Sequence, residues 1–519
     1  MKPKHTQMAL TAVAAAIFLA TTAVSCTTDN HEYAGKRLVI LHTNDTHSQI
    51  DPDDKGRGGI LRRKVLIDSV RGAEENVLLI DAGDAVQGTL YFTLYNGEVE
   101  RKMMNELGYD VQILGNHEFD NGMESLARQY RETNATKITT NYDLSGTELE
   151  TLFVPYAIKE YSGRRIGIIG INLNPSGIID ETNCTGVKYL DAIKTANATS
   201  QHLKATENAD AIIAVTHVGY DESAPPTPSD LEIARNSENI DIIIGGHSHT
   251  LINPDSPDCP IYKVANNNGD SVLIVQTGKG GRYLGEITLA LDNMQPSYRL
   301  IPVNDRLDGR IDNNAAKLLK PYRHGVDSLM AVKVATSTKA LDSAEPALLN
   351  MVTDFVLQKG SELTAANIDL AIMNKGGIRR SLPEGDITKG MIITMLPFEN
   401  HITVLELKGN DLKAALDVMA GRHGDGVSKG VKITYNDHTG KCTGILINGQ
   451  RIEDNRIYRI ATIDYLANGG DYMKPFTNGR IIGKSEQILY DDLLDYLESD
   501  KMKGKSLNPS NEERMTKEK

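Results

Sequence analysis

Cysteine is scarce in this chain of 519 residues, with only Cys26, Cys184, Cys259 and Cys442 and no CxxC spacing among them. That excludes a zinc–thiolate site. In an exported protein one disulfide among the last three is compatible with the sequence, but spacing does not choose the pair and one thiol stays over. Positive charge is in deficit: 56 Lys and Arg stand against 69 Asp and Glu, a net charge of −13. Phosphate-backbone contacts need clustered Lys and Arg, so a nucleic-acid-binding surface is excluded. A small anionic substrate remains compatible where local metals or arginines outweigh the global sign. Beyond the N-terminus no apolar run is long enough to cross a bilayer, and there is no internal repeat or low-complexity tract.

What is present begins with an export segment. Lys2 and Lys4 precede the apolar run MALTAVAAAIFLATTAV, and small residues in Ala23-Val-Ser-Cys26 lead to a cysteine followed by polar sequence. Residues 1–26 resemble a bacterial lipoprotein signal ending in a lipobox. The expected mature protein is exported and lipid-anchored through Cys26 to the cell envelope, periplasmic or at the cell surface, tethered rather than spanning.

The length implies two cores. From 37 to 305 the chain alternates β-rich runs (RLVILHT, NVLLIDAGD, VQILGN, RIGIIGIN, DAIIAVTH, NIDIIIGGH) with helix-like stretches such as GGILRRKVLIDSVRG, an α/β pattern. SVLIVQTG and GEITLALDN are expected to pair antiparallel, and DESAPPTPSD at 221–230 to be an exposed loop. Residues 306–332 are expected to form a connecting helix, broken or kinked at Pro321. From 333 to 515 helix-like EPALLNMVTDFVLQKGSEL precedes IDLAIMN, ITVLELKG, VKITYND and YRIATIDYL, an α+β domain.

The apolar runs of the first domain end in groups able to bind a metal: Asp45 and His47, then Asp84, then Asn116, His117 and Asp120, then His217, and finally His247 and His249. Ligands of α/β sheets bind where strands deliver their carboxyl ends, so these five clusters are expected to converge. Each alone has a plainer reading, Asp84 as a helix cap and His117 as a core histidine. In GGHSHT an extended backbone would point His247 and His249 to the same side about 6–7 Å apart, a spacing that suits two neighbouring ions. A thiol-free set of imidazole, carboxylate and amide suits divalent Zn, Mn, Fe or Mg-like ions. Seven donors exceed one tetrahedral shell, and a pair of ions about 3.5–4 Å apart accommodates them.

DTH, GD, GNHEFD, the TH of AVTHVG and GGHSH, in this order, resemble the calcineurin-like metallophosphatases. With NKGGIR, LPFEN and LANGGDY added, the mature chain resembles the two-domain bacterial 5'-nucleotidase and UDP-sugar hydrolase family. The resemblance implies a four-layer metallophosphatase sandwich, a linker helix and a C-terminal nucleotide-binding domain. It implies two divalent ions (Zn, Mn, Fe, Co or similar), one held by Asp45, His47, Asp84 and His249, the other by Asp84, Asn116, His217 and His247. His117 and Asp120 would be the catalytic dyad and a metal-bound hydroxide the nucleophile, with no phosphoenzyme. Asn374, Gly376, Gly377, Arg379, Tyr465 and Asp471 would contact a nucleotide, Tyr465 by stacking. Glu118 receives no role.

Two departures stand out. The family's first stacking aromatic is expected before VKITY, where RHGDGVSKG has none. An arginine ahead of an E-x-x-x-G-N helix start is missing from LDSAEPALLN; Lys375, Arg380, Arg422 and His423 are candidates to compensate. The expected activity is 5'-nucleotidase, with 2',3'-cyclic nucleotide phosphodiesterase/3'-nucleotidase or UDP-sugar hydrolase as alternatives. A non-catalytic surface binding lipoprotein and a sulfur-compound hydrolase are more remote. A site split between two domains must open for entry and release, which places the helix near 313–330 at the hinge.

Overall fold

A computed structural model describes residues 33, 35–221 and 227–518. The export segment with Cys26 and the centre of the 221–230 loop lie outside the described residues. Among those described, no helix is long and apolar enough to cross a membrane. Cys184, Cys259 and Cys442 are all free, so none of the possible disulfides forms.

Strict alternation in the β-rich runs builds the first domain. In Arg37–Thr43, Leu38 and Ile40 point to one side and Val39 and Leu41 to the other, all buried. A strand buried on both faces must be covered on both, and two six-stranded sheets achieve this by stacking. Leu38, Ile40, Leu78 and Ile80 of one sheet meet Ile168, Ile213, Ile242 and Val275 of the other in a central core. The outer face of the first sheet packs on helices Ile60–Ala73 and Glu98–Leu107. That of the second packs on Gly122–Arg131, Ala192–Ala205 and Asp230–Asn236. The result is the expected four-layer α/β/β/α sandwich.

The parallel strands Arg37–Thr43, Val77–Asp81 and Val111–Gln112 lie side by side in one sheet, Arg164–Asn172, Ala211–His217 and Ile242–Ile244 in the other. Their carboxyl ends therefore open at one edge of the sandwich. One pairing differs from expectation. Ser271–Val275 joins the second sheet beside Ile242–Ile244, whereas Tyr283–Ala290 crosses to the first and pairs with Arg37–Thr43. Gly278, Gly280 and Gly281, all with positive φ, lie in the crossing between them, and no hairpin forms.

Helix Asn313–Met330 runs through Pro321 without ending there. Its Leu319 and Ala315 join the core of the first domain, Tyr322 stacks edge-on against Tyr95 at 4.9 Å, and Arg323 pairs with Asp51. The second domain holds a five-stranded sheet in the order Gly426–Val427, Leu370–Met373, Ile457–Ile463, His401–Lys408 and Arg480–Ile488. Helix Pro346–Thr364 packs on it through Leu348, Val352, Phe355 and Val356. A four-stranded sheet flanks it and takes up Met515–Lys517 near the C-terminus.

Candidate metal and substrate site

The five strand-end clusters do converge. His47 Nε2 lies 2.9 Å from His249 Nε2 and 3.9 Å from Asp45 Oδ1, and His249 Nε2 lies 3.6 Å from the same Asp45 oxygen. His217 Nε2 sits 3.2 Å from Asp84 Oδ2, and His247 Nδ1 2.8 Å from Asn116 Oδ1. Donors about 2.0–2.2 Å from a tetrahedral ion stand roughly 3.3–3.6 Å from one another, and these edges bracket that value. Three donor sets fall within mutual reach: Asp45, His47 and His249; His47, Asp84 and His117; Asp84, His217 and His247. Asp84 and His47 are each common to two of them, and of the two only Asp84 is a carboxylate able to bridge two ions.

His217 Nδ1 is 2.7 Å from the Ala82 carbonyl, which sets its tautomer and leaves Nε2 buried without a hydrogen-bond partner. A buried imidazole nitrogen oriented this way is what metal ligation requires. The carboxylates show the same demand for positive charge. Burial, with Asp84 beside it, outweighs the help of His217 and pushes the Asp45 carboxyl up to about 7. Burial also opposes the Asp84 charge, but the surrounding His217, His117 and His47 hold it well below the usual range. Two acids buried in one site need cations, and divalent ions fit the donor set.

The backbone explains the glycines. His247 and His249 have φ of 77° and 56°, and the Ser248 N–H bonds the Gly246 carbonyl. The segment is thus tightly turned, not extended as expected, and the turn delivers His249 to Asp45 and His247 to Asn116. At Gly246 a Cβ would stand 2.8 Å from His217 Nδ1 and 3.1 Å from Asp45 Oδ2. Only a residue without a side chain lets this backbone pass between two ligands. Asp45, His47 and Asp84 also have positive φ. Such strain gathers where surrounding structure over-determines a site.

His117 Nδ1 bonds Asp120 Oδ2 at 2.9 Å, and the His117 main-chain N–H donates to Asp84 Oδ1 at 2.9 Å. Burial tends to discharge His117, but Asp120 and Asp84 outweigh it and its pKa is raised. Glu118, given no role by the sequence, is a structural hub. Its carboxylate accepts the N–H groups of Asp84 (2.9 Å), Ala85 (3.0 Å) and Gly115 (2.7 Å), and Arg101 lies 3.2 Å away. It thereby ties the loop of Asp84 to the loop of Asn116.

A cavity of about 600 Å³ joins the two domains. Asn116, His117, Asp120 and His247 line one side; Asn374, Gly376, Gly377, Arg379, Tyr465 and Asp471 line the other. All six expected substrate-contact residues thus line the cavity that the dyad lines. Asn374 donates to Asp471 at 2.7 Å, and its buried Oδ1 has no hydrogen-bond partner. At Gly377 a Cβ would meet Asn374 Oδ1 at 2.8 Å, whereas at Gly376 the space is nearly open. The Tyr465 hydroxyl is 3.0 Å from both Asp471 Oδ1 and the Ile178 carbonyl of the first domain.

RHGDGVSKG supplies no aromatic to this cavity, as expected, but Phe398 of another segment lines it together with Tyr465. Phe398 stacks on His117 at 5.9 Å, with the Arg379 guanidinium 5.8 Å from its ring. It belongs to LPFEN, a motif visible in the sequence, but nothing local announced that a loop 67 residues before Tyr465 would reach the same cavity. Of the candidates to replace the absent arginine, Arg422 is engaged by Asp425 and Asp471, and His423 by Asp437. Lys375 bonds the His423 carbonyl, and Arg380 alone crosses to the first domain, donating to Gln49 at 2.7 Å.

Sandwich, donor sets and dyad together define a metal-dependent phosphoester hydrolase. Comparison with known proteins agrees: the calcineurin-like phosphoesterase profile matches residues 38–251, and the 5'-nucleotidase C-terminal domain profile matches residues 329–478. A 5'-nucleotidase of Vibrio parahaemolyticus is 30% identical over 89% of this chain and 89% of its own. The trifunctional nucleotide phosphoesterase YfkN of Bacillus subtilis is 29% identical over 92% of this chain, which spans only 35% of that longer protein. The crystal structure of a Thermus thermophilus 5'-nucleotidase precursor superposes with a TM-score of 0.81 at 29% identity, covering 93% of this chain and 99% of that one. The chain belongs to the 5'-nucleotidase family.

Proposed function

We propose that this protein is a dinuclear 5'-nucleotidase that releases orthophosphate from nucleoside 5'-monophosphates. One observation carries the reading: a single cavity has donors for divalent ions and a His–Asp dyad on one wall, and two aromatics and an amide–carboxylate pair on the other. In this reading Asp45, His47, Asp84 and His249 hold one ion and Asp84, Asn116, His217 and His247 the other. When bound, the ions supply Lewis acidity and a water activated for in-line attack.

The chain's own groups do the rest. Phe398 and Tyr465 present flat faces to the nucleobase, and Asn374 and Asp471 present polar groups beside it. Arg379 directs its guanidinium toward the phosphoryl group. His117, kept cationic by Asp120, stabilises the charge that develops on phosphorus and its leaving oxygen, and hands that oxygen a proton. Export and lipid anchoring at Cys26 belong to the same proposal, because nucleotides outside the cell must lose phosphate before uptake. Fractionation of a Cys26→Ala variant tests this: the anchor reading requires the protein to leave the membrane fraction.

The test of function is phosphate release from AMP by the chain lacking residues 1–26, with added Mn²⁺ or Zn²⁺ and after chelation. Chelator-sensitive release is expected. Activity confined to 2',3'-cyclic nucleotides, UDP-sugars or a generic aryl phosphate would overturn the 5'-nucleotidase reading and keep the metal chemistry. Silence on all of them in folded, metal-loaded protein would overturn both.

A further inference from the structure

The short turn His117–Phe119 that carries the dyad is held differently at its two ends. At the near end the His117 main-chain N–H is fixed by Asp84, and Phe119 is buried in the core beneath. The far end is Asp120, whose side chain is 23% exposed. There the chain swings through Asn121 and Gly122, the latter at a φ of 75°, into helix Gly122–Arg131. A partly exposed carboxylate at a chain corner keeps one position against His117 only if something outside the corner offsets its conformational freedom.

That outside contact is Asn183. Its Nδ2 donates to the Asp120 carbonyl at 2.9 Å, and a Cβ on Gly122 would stand 3.7 Å from its Oδ1, so the amide lies across the corner. Asn183 is itself set by the turned segment 174–185. Its main-chain N–H bonds the Asp180 carbonyl at 2.9 Å, Asp180 Oδ1 accepts the Thr182 N–H at 2.9 Å and the Thr182 hydroxyl at 2.7 Å, and Ile179 is buried in the core of the first domain. The second domain grips the same segment from the other side. Asn468 Nδ2 donates to Asp180 Oδ2 at 3.2 Å, and the Tyr465 hydroxyl bonds the Ile178 carbonyl. One segment therefore touches the second domain at Ile178 and Asp180 and the dyad at Asp120, and Asn183 lines the substrate cavity between them.

We propose that Asn183 is a positioning residue of the dyad, fixing the Asp120 main chain so that its carboxylate meets His117, from a segment that the second domain holds in place. The proposal rests on the phosphohydrolase reading above. The amide acts through Asp120 and makes no contact with the substrate, so its loss should slow the chemical step and leave binding alone.

The experiment compares the metal-loaded wild type with Asn183→Leu, Asn183→Ala and Asn183→Gln, and repeats Asn183→Leu in an Asp120→Asn background. Melting temperature and metal content are checked for each. Single-turnover phosphate release from AMP and from an aryl phosphate gives the rate of the chemical step and the half-saturating concentration. Misplacing a reacting group by 1 Å costs about 10²-fold, so loss of one outlying contact is expected to cost about fivefold to 30-fold in rate for Leu and Ala. Half-saturation should stay within about twofold, and Gln, which keeps an amide donor, should recover most of the rate. In the Asp120→Asn background the further loss should shrink to less than about twofold, because the two residues act as one unit. A full rate in Leu and Ala, a loss confined to half-saturation, or an undiminished loss in the Asp120→Asn background would each overturn the proposal. Were AMP not hydrolysed but the aryl phosphate turned over, the nucleotide reading would fail while the aryl phosphate still decided the role of Asn183. Without turnover of either, crystal structures of the wild type and Asn183→Leu decide it: displacement of the Asp120 carboxylate from His117 in the variant is expected, and an unmoved carboxylate would overturn the positioning role.

Discussion

Glu118 offers the most stringent test, because it lines no part of the substrate cavity and supplies no donor atom itself, yet holds the loops of Asp84 and Asn116 together. Its side chain and that of Arg101 are almost wholly buried. Glu118→Gln preserves volume and shape and changes only which atoms accept. If the amide oxygen stays where Oε2 now accepts from Asp84 and Gly115, the amide nitrogen faces the Ala85 N–H and Arg101. Two donors then meet donors, and Arg101 is left with the carbonyl oxygens of Gln112 and Gln129, at 3.3 and 3.4 Å, and the ring of Tyr130. Each unsatisfied buried donor costs about 1–3 kcal/mol, and breaking a buried ion pair costs about 3–5 kcal/mol in all. We expect the variant to lose about 3–5 kcal/mol of stability, lowering the first domain's thermal transition by roughly 6–15 °C. Its affinity for Mn²⁺ should fall as well, since the Asp84 and Asn116 loops lose their common tie; losing hydrogen bonds that orient metal ligands is worth about 10–100-fold. Differential scanning calorimetry and metal titration read the two effects separately. A variant with wild-type melting and wild-type metal affinity would refute the reasoning that Glu118 positions the ligands.

Asp84→Asn should abolish phosphate release and lower bound metal below one equivalent per chain, measured by elemental analysis, because the one carboxylate common to two donor sets loses its charge. His117→Ala should lower kcat by about 10²–10⁴-fold with metal content intact, and Asp120→Asn should lower it less; equal metal loss in either would assign them to ligation instead. Tyr465→Ala or Phe398→Ala should raise the KM for AMP by about fivefold to 100-fold, the worth of one stacked base, with a smaller effect on an aryl phosphate. Three bonds close the mouth of the cavity: the Tyr465 hydroxyl to Ile178, the Tyr472 N–H to the Gly177 carbonyl at 3.1 Å and Asn468 to Asp180 at 3.2 Å. Asn468→Ala should speed opening and raise kcat if opening limits turnover, read as a change in the burst amplitude of product release.

Much of this protein was legible in one dimension. Short continuous apolar runs such as that in RLVILHT announce strands buried on both faces, whereas the four-layer sandwich came with the family resemblance. The candidate metal donors lie at or just after the ends of those strands, so the topology that pairs the strands brings them together; the choice of Asp45, His47, Asp84, Asn116, His217, His247 and His249 and their division between two ions came only with the family resemblance. What the sequence could not decide was anything that depends on how distant loops meet. The turned backbone of GGHSH follows from the crowding of His217 and Asp45 against Gly246, which no local pattern contains. Glu118 looked idle because three of its partners are main-chain N–H groups, which leave no mark in a sequence, and the fourth, Arg101, meets it only in the fold. Phe398 reaches the cavity only because the second domain folds over the first, and Arg380 crosses to Gln49 for the same reason. Side-chain chemistry was written in the chain; which neutral, charged or aromatic groups share a cavity was decided by packing across the domain boundary.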